Sequence, residues 1–458
     1  MATASVEQKR IRDQIHRHVM EEMKEAYLSD DRPWVVGFSG GKDSTALLQM
    51  VYYMLAKLPP ASRKKHVHVI ASDTRVEMPQ VSDRVRRELE LIDAAAARDG
   101  LPVSTQLVYP KLNDTFWVNM IGRGYPSPNT KFRWCTDRLK ILPVSDHIRR
   151  IISKAGDVVV VLGARKSESA TRAQTLNRHT IPGQRFRPHM DLVRAWVYTP
   201  IEDLTADEVW VYLLQIPSPW SGQNRELLGM YRQASGGECP LVIDTSTPSC
   251  GQSRFGCWTC TVVDRDRSME SMVANGEEQL TPLLDLRDFI KELRDKPGAR
   301  YDRRRNGTVP LRRGTDETMT NTGPFTHQMR IEILRRLLIA QKESGVNLMG
   351  ADELAIIQEI WDTEERDHPE KPGIAGNAVS RIWKSVFEEG AMPYDSSADE
   401  HLDKEDLILK EVCEDSQIPF EMMRRLRDVE EKFGHLRRRH GLPEEMRETV
   451  KHFAQGRE

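Results

Sequence analysis

The segment Ser39-Gly40-Gly41-Lys42-Asp43-Ser44 (SGGKDS) gives the strongest architectural signal in this chain. It follows a short apolar run, residues 34–38 (WVVGF), and precedes a long apolar segment, residues 45–58 (TALLQMVYYMLAKL). This order predicts a buried strand, a tight turn and a helix. Two adjacent glycines admit a close ligand, and the unpaired N–H groups and dipole at a helix start attract an anion. A phosphate site is therefore predicted, with added donors from Lys42, Ser39, Ser44 and Thr45.

The same alternation continues along the chain. Further strands are predicted at residues 66–72, 103–109 and 157–163, and helices at residues 81–98 and 136–154, the last interrupted near Pro143. Strands that alternate with helices predict an α/β fold, a doubly wound and mainly parallel sheet.

Three regions are predicted from the change in pattern. Residues 1–234 form the α/β domain with an N-terminal helix, residues 235–323 a cysteine-rich segment and basic linker, and residues 324–458 a helical C-terminal region. Residues 364–400 are predicted to be irregular. Helices beyond residue 263 are predicted at residues 274–293, 325–344, 350–363, 403–414, 419–434 and 443–454.

The composition excludes a membrane protein. Of the 458 residues, 39% are apolar and 30% charged, the mean hydropathy is −0.56, and no apolar run reaches the ~20 residues of a spanning helix. The charged N-terminus lacks the apolar core of a signal peptide, so a cytoplasmic protein is expected. The formal net charge of −2 neither supports nor excludes a nucleic-acid partner.

SGGKDS differs from the G-x-x-x-x-G-K-[ST] nucleotide loop and resembles the SGGxDS loop, or PP-loop, of the ATP pyrophosphatase superfamily. The resemblance implies ATP binding, attack on the α-phosphorus and release of pyrophosphate. A glycine-rich turn without a ligand is the alternative. Magnesium is expected beside the phosphates, with Asp43 as a ligand or water-positioning group. The alternative for Asp43 is a first-turn acid that complements the helix dipole.

Two later strand ends fit that resemblance. Asp73 follows the second strand, where it is expected to contact ribose or magnesium or else to act as a turn residue. After the strand at 157–163, Gly163 permits close approach, and Arg165 and Lys166 neutralise phosphate charge, unless this is an ordinary basic loop. Glu168 orders a cation or pairs with Arg165.

Four of the six cysteines are clustered: Cys239, Cys250, Cys257 and Cys260. Their spacing is compatible with an iron–sulfur cluster, with a structural zinc site, or with unligated redox or sulfur-carrying thiols. Only one CxxC pair is present, whereas zinc ribbons usually have two. Cys413, on a predicted helix, is interpreted as structural.

Longer segments resemble the DndC family of DNA phosphorothioation sulfurtransferases, which are related to phosphoadenylylsulfate (PAPS) reductases. The resemblance extends over about residues 34–286 and rests on GECPLV (237–242), DTSTPSCG (244–251), SRFGCWTC (253–260), IGRGYP (121–126) and FRWCTDRLK (132–140). It implies a 4Fe–4S cluster on Cys239, Cys250, Cys257 and Cys260. It also implies ATP pyrophosphatase activity, and replacement of a non-bridging DNA phosphate oxygen by sulfur, together with a cysteine desulfurase and other proteins of the complex.

Residues 123–194 contain fifteen Lys and Arg but five Asp and Glu. This excess predicts a DNA-binding surface, unless acids elsewhere balance it. Cys135 lies among these cations, which would lower its thiol pKa and suit it to carry sulfur as a persulfide; a buried small residue is the alternative.

The catalytic residues proposed from the sequence are Ser39, Lys42, Asp43, Arg165 and Cys135. Two other functions stay open: reduction of PAPS or adenylylsulfate, and a nucleotide-sensing scaffold in a DNA-modification complex. The absence of a Cys-Cys pair argues against the reductase that carries a cluster.

Overall fold

The computed structural model describes residues 16–178, 183–234, 256–296, 298–301, 323–367 and 377–388, with isolated positions between 413 and 451. The chain divides into two compact units. The first comprises residues 1–119, 127–292 and 339–353, and the second residues 120–126, 293–338 and 354–458.

A six-stranded sheet forms the centre of the first unit. Its strands are β1 (Trp34–Gly37), β2 (Val67–Ser72), β3 (Val103–Val108), β4 (Val158–Val161), β5 (Arg187–Pro188) and β6 (Ala195–Tyr198). The order is β3-β2-β1-β4-β6-β5, and every pair is parallel except β5 with β6. The predicted fold class, a doubly wound and mainly parallel α/β sheet, is confirmed. Strands β5 and β6 were not predicted.

The described helices are α1 (residues 16–28), α2 (Lys42–Lys57), α3 (Pro79–Arg98), α4 (Leu142–Ala155), α5 (Ala170–Arg178), α6 (Ala206–Gln215), α7 (Asn224–Ala234), α8 (Arg267–Ala274), α9 (Thr281–Asp295), α10 (His327–Ser344), α11 (Ala351–Asp367) and α12 (Ala378–Phe387). Within the described residues, no helix is long and apolar enough to cross a membrane.

Side chains alternate across the sheet and build two cores. Trp34 and Val36 of β1 join a large cluster with residues of α1, α2, α3, α6 and α7. Val35, from the same strand, joins a smaller cluster with Ile148 and Ile151 of α4. The two faces of the sheet are therefore covered to different extents.

Strand order creates a crevice at β1. The chain continues from β1 to β2 and β3 on one side, and β4 then pairs with the other edge of β1. The loops that follow β1 and β4 thus diverge at the carboxyl edge of the sheet, where ligands bind in open α/β folds.

Most predicted helices are confirmed, with two corrections. The single helix predicted at 274–293 is wrong, because α8 ends at Ala274, Gly276 takes a φ of +106°, and α9 begins at Thr281. The irregular interpretation of 364–400 is wrong over α12. A π-helical turn, Thr136–Ile141, precedes α4, with Pro143 in the first turn of α4, so the interruption near Pro143 is confirmed. The helices predicted at 403–414, 419–434 and 443–454 lie largely outside the described residues.

A buried arginine lies at the centre of the second unit. Arg330 of α10 is 2% exposed and donates hydrogen bonds to the carbonyl oxygens of Ile121, at 2.7 Å, and Gly122. It also pairs with Glu364 of α11 at 2.7 Å. Trp361 Nε1 donates to the Ile121 carbonyl oxygen at 3.0 Å. These contacts connect α10 and α11 to the segment at 120–126.

Candidate functional site

The turn after β1 has the backbone that its glycines predict. Gly40 has a φ of +71°, and a Cβ there would lie 2.6 Å from Val85 Cγ2, so glycine is required on both grounds. Arg84 of α3, 5% exposed, donates to the Gly40 carbonyl oxygen at 2.7 Å. Helix α3 therefore fixes the turn from behind.

Hydroxyl groups line the start of α2. Ser39 Oγ and Ser44 Oγ are 3.1 Å apart, and Ser44 Oγ donates to the Gly41 carbonyl oxygen at 3.1 Å. Thr45 is fully buried, and its Oγ1 has no hydrogen-bond partner in the described part of the chain. Gly41 caps α2 without a side-chain bond, which leaves the first-turn N–H groups without intrahelical partners. An anion at this turn would satisfy them.

The loop after β4 brings its predicted residue to the same turn. Arg165 is 3% exposed, and its Nε donates to Asp43 Oδ1 at 2.6 Å. Lys42 Nζ lies 3.1 Å from Asp43 Oδ2. The structure thus brings Lys42, Asp43 and Arg165 together. Because both Asp43 oxygens are paired with cations, Asp43 has little charge left for magnesium.

The remaining predicted residues of this loop surround Arg165. Arg165 donates from Nη1 to Ser167 Oγ at 2.6 Å, and its backbone N–H donates to Glu168 Oε1 at 3.1 Å. Glu168 also pairs with Arg172 at 3.2 Å. Lys166 faces elsewhere and pairs with Glu202 and Asp203 at 3.1 and 2.7 Å.

Gly163 allows the two loops to touch. A Cβ at this position would lie 3.0 Å from the Asp43 carbonyl oxygen and 3.2 Å from the Ser44 nitrogen. Both neighbours are backbone atoms of the turn after β1, residues 39–44 (the phosphate turn). Backbone atoms cannot rotate away as a side chain can. Gly163 is therefore needed for the contact between the two loops, and its approach to a nucleotide stays a prediction.

Tyr231 of α7 is a site residue that the sequence did not indicate. Its hydroxyl accepts from the Lys42 backbone N–H at 3.5 Å, and Lys42 Nζ lies 5.6 Å from its ring centroid. Burial raises the pKa of Tyr231 to about 12, so the phenol keeps its proton at neutral pH. It lies 189 residues from Lys42 along the chain, and no local motif signals it.

Asp73 has the turn role that the sequence left open. It is 5% exposed, accepts from the Arg75 backbone N–H at 2.8 Å and pairs with Arg86 of α3 at 2.8 Å. Its contact with a nucleotide or magnesium stays a prediction.

Two of the clustered cysteines lie beside the loop that follows β2. Cys257 Sγ is 3.4 Å from Thr74 Oγ1 and 3.6 Å from Glu77 Oε1, and Glu77 pairs with Lys140 at 3.2 Å. Cys260 donates its backbone N–H to the Cys257 carbonyl oxygen at 3.1 Å. The thiols are therefore near the carboxyl edge of the sheet. Cys239 and Cys250 lie outside the described residues.

Burial opposes ionisation of these thiols. The pKa of Cys135 is raised by burial and then by Cys260, so the expectation that nearby cations lower it is wrong. The pKa of Cys257 is raised to about 12 by burial and then by Glu77. Cys135 acts electrostatically on Cys257 and is acted on by Cys260, which places the three thiols in one neighbourhood.

This donor set suits a thiolate-bound cluster in its chemistry. Among the described residues, however, no group of three or more Cys, His, Asp or Glu side chains is arranged to hold a metal ion. The ligand set on all four clustered cysteines therefore stays a prediction.

Most cations of the basic stretch 123–194 have acidic partners. Many of these acids lie outside the stretch, among them Glu25, Asp43, Glu77, Asp114 and Glu202. The balance by acids elsewhere, which the sequence left open, therefore accounts for much of the excess. Arg150 and Lys154 of α4 are exposed and have no ion-pair partner in the part of the chain that the structure describes.

Comparisons with known proteins identify the family of about half of the chain. The model of the phosphoadenosine phosphosulfate reductase domain family matches residues 33–263, which include the loops after β1 and β4 and the four clustered cysteines. The uncharacterized protein MJ0066 of Methanocaldococcus jannaschii is 24% identical over 211 residues, or 46% of this chain. The match spans 37% of that curated relative's length.

Two solved structures are also similar. One is the phosphoadenylyl-sulfate (PAPS) reductase of Candida auris in a phosphate complex: 16% identity, a TM-score of 0.30, and coverage of 47% of this chain and 89% of the other. The other is the U34-tRNA thiolase NcsA of Methanococcus maripaludis with its [4Fe-4S] cluster: 13% identity, a TM-score of 0.30, and coverage of 65% and 83%.

Proposed function

The chain belongs to the family of phosphoadenosine phosphosulfate reductase domains, and on that premise we propose that it cleaves ATP to activate a DNA backbone phosphate for replacement of a non-bridging oxygen by sulfur. The observation that carries the proposal is the pairing of Asp43 with Arg165 and Lys42 at the turn after β1. It sets two cations and one carboxylate, a net positive charge, beside the N–H groups of a helix start, which favours a polyphosphate.

In the first step, a non-bridging DNA phosphate oxygen attacks the α-phosphorus of ATP, and the bond to the β-phosphate oxygen breaks. Pyrophosphate leaves with both electrons of that bond. Lys42 and Arg165 neutralise its charge, while Ser39 and the turn amides hold the chain of phosphates in line. Magnesium would add a further positive charge among the phosphates.

In the second step, hydrosulfide attacks the adenylylated DNA phosphorus, and AMP leaves with the original oxygen. This displacement needs no change of oxidation state. If Cys135 delivers the sulfur as a persulfide, a second thiol must then reduce the S–S bond that joins enzyme and DNA, and a disulfide forms. Cys135 is half-buried and its raised pKa keeps the thiol protonated, so it would need that sulfur loaded by a partner such as a cysteine desulfurase.

A 4Fe–4S cluster is proposed on Cys239, Cys250, Cys257 and Cys260. When bound, it would supply electrons or a site for sulfur. Lys140 and Glu77 border Cys257, so they are placed to orient this ligand. DNA, the desulfurase and further proteins of the complex are the proposed partners, in the cytoplasm.

The test is pyrophosphate release from ATP by anaerobically purified protein, with and without DNA and partners. Ser39→Ala is expected to lower release at least tenfold, while exposed Ser29→Ala is unaffected. Mass spectrometry of nuclease-digested DNA would then detect phosphorothioate dinucleotides. No release under any of these conditions, or equal release by both variants, would reject the proposal.

Reduction of PAPS or adenylylsulfate is the second candidate, and the family description favours it. Thioredoxin-dependent sulfite formation from PAPS, without sulfur in DNA, would establish it in place of the first. Tight ATP binding with neither reaction in the full assembly would instead identify a nucleotide-sensing scaffold.

A further inference from the structure

A groove of about 830 Å³ lies beside the edge strand of the sheet, away from the phosphate turn. It runs along β3 from Ser104 to Tyr109 and along α4 from Leu142 to Ala155. This is the sheet face with the smaller core, where Ile148 and Ile151 of α4 pack. At strand geometry the six residues of β3 span about 20 Å, so the groove is elongated.

The cations of this groove outnumber its acids. Lys111, Arg138, Arg150 and Lys154 line it, against Asp114 and Asp146. Arg138 pairs with Asp114, and Lys111 reaches Asp146 only at 4.0 Å. Arg150 and Lys154 have no ion-pair partner among the described residues. They are four residues apart on α4, so their Cα atoms are separated by about 6 Å along its axis.

The groove reaches the edge of the sheet that carries the phosphate turn. Tyr109 follows β3 and is 43% exposed, so part of its ring is open to a ligand. The Arg75 guanidinium lies 5.8 Å from its ring centroid, and the Arg75 backbone N–H donates to Asp73 at 2.8 Å. One set of contacts thus connects the mouth of the groove to the loop after β2.

The polar floor of the groove adds no charge at neutral pH. Burial, followed by His66 and His147, lowers the pKa of His68 to about 4, and burial and Arg150 lower that of His147. Both rings are therefore neutral and available for hydrogen bonds, so Arg150 and Lys154 dominate the potential.

We propose that this groove binds a single-stranded nucleic-acid segment, with backbone phosphates against Arg150 and Lys154 and a base stacked on Tyr109. The inference rests on the proposed function, since it supplies the path by which a phosphodiester reaches the carboxyl edge of the sheet. Spaced cations and an exposed aromatic ring are the features that bind single strands without sequence preference. An acidic peptide would use the cations but has no need of Tyr109.

The test measures binding of a fluorescein-labelled twelve-nucleotide oligothymidylate to the full chain. Fluorescence anisotropy reports the binding over a range of NaCl concentrations. Arg150→Gln/Lys154→Gln removes two exposed charges and is expected to weaken binding about tenfold or more. Loss of two phosphate contacts is expected to reduce the slope of log K against log [NaCl] by about 1.4. The matched control is Lys57→Gln/Lys64→Gln, which removes two exposed charges outside the groove.

Equal affinity and slope for the two double variants would overturn the proposal. Tyr109→Phe is expected to retain binding and Tyr109→Ala to lose about tenfold, as expected for stacking. Polyglutamate that competes as well as the oligonucleotide would show an acidic-peptide site instead. ATP binding and pyrophosphate release are measured in the same variants, because they test the proposed function separately from the groove. Weak oligonucleotide binding with normal pyrophosphate release would reject the groove alone. Oligonucleotide binding at the groove without pyrophosphate release would reject the proposed function alone.

Discussion

Asp43 stabilises the fold in addition to its predicted role at the phosphate turn. Its carboxylate neutralises Arg165, which is 3% exposed, while Asp43 itself is 18% exposed. Loss of one partner leaves a buried charge unpaired, and such losses cost about 3–5 kcal/mol. We therefore expect Asp43→Ala to lower the free energy of unfolding by about 3 kcal/mol, measured in urea.

The control for Asp43 is Asp203→Ala. Asp203 also pairs with a cation, Lys166, but is 78% exposed, and surface pairs contribute about 0–1 kcal/mol. If Asp43→Ala and Asp203→Ala lower the free energy of unfolding equally, the interpretation of Asp43 and Arg165 as a buried ion pair is contradicted. Ser39→Ala, which disturbs no ion pair, is for the same reason the better test of catalysis.

Gly163 permits a second prediction at this scale. The added methyl of Gly163→Ala would meet the backbone of Asp43 and Ser44, and overpacking of this kind costs about 1–3 kcal/mol. We expect nucleotide affinity, measured by calorimetry, to fall about tenfold. Gly229→Ala, in α7 with no atom within 4 Å of its added Cβ, is the control and is expected to stabilise the helix slightly. Unchanged affinity in Gly163→Ala would show that the two loops move apart freely.

Sequence reasoning identified the residues of the phosphate turn because a local motif fixes both their type and their order. It missed Tyr231 and Arg84, since each reaches the turn from a distant helix through tertiary packing. It also misjudged the pKa of Cys135, because neighbours in sequence reveal charge but not burial.

Among the elements, β5, β6 and the loop after β4 share one carboxylate. Glu202 accepts from Thr199 at 2.6 Å, pairs with Arg187 at 2.6 Å and with Lys166 at 3.1 Å. Burial acts to raise the pKa of Glu202, but these partners outweigh it and the pKa lies below its ordinary value. The folded state thus favours the ionised form.

The resulting stability is present above the unfolded-state pKa, near 4.5, and is lost as the pH falls through the lower folded-state value. We expect Glu202→Gln to destabilise the protein at pH 7 and to make the free energy of unfolding less dependent on pH below about 4.5. Urea titrations at pH 7 and pH 4 measure this. The control is Glu90→Gln, at an exposed residue. If the free energy of unfolding depends on pH as steeply in Glu202→Gln as in Glu90→Gln, the prediction is contradicted.

Strands with a uniform apolar run were predictable, and the shortest strand was not. Strand β4, VVVV, is apolar throughout because helices cover both faces, and this pattern is visible in the sequence. Strand β5 has two residues, too few for a periodic signal. Strand β6, AWVY, is as long as β4, so its apolar run was present in the sequence and was missed. The break between α8 and α9 lies at Gly276, whose positive φ is not visible in the sequence.

At the scale of the whole molecule, two units have separate centres, and the second depends on Arg330. Its guanidinium satisfies the carbonyls of Ile121 and Gly122 and pairs with Glu364. Arg330→Met would remove the arginine donor from the Gly122 carbonyl oxygen and the cation from half-buried Glu364. The Ile121 carbonyl oxygen would keep the Trp361 indole as its donor. We therefore expect a loss of about 3 kcal/mol in the free energy of unfolding, seen by scanning calorimetry. Exposed Lys384→Met is the control, and equal melting curves would contradict the prediction.

Net charge is a whole-molecule property that sequence alone cannot assign to a surface. The excess of cations at 123–194 was visible in the sequence, but many of the acids that neutralise them come from distant segments, such as Glu25 and Glu202. DNA binding stays a prediction, and the best candidates for it are the cations without an acidic partner among the described residues, such as Arg150 and Lys154.

The contact of Tyr231 with Lys42 gives the molecule a built-in optical reporter. Trp210 of α6 is buried and meets Tyr231 edge to face, with ring centroids 5.0 Å apart. A nucleotide that draws Lys42 away from the phenol would change the surroundings of this indole. The emission difference between the wild-type chain and Trp210→Phe would then follow occupancy of the loop in real time, without a dye.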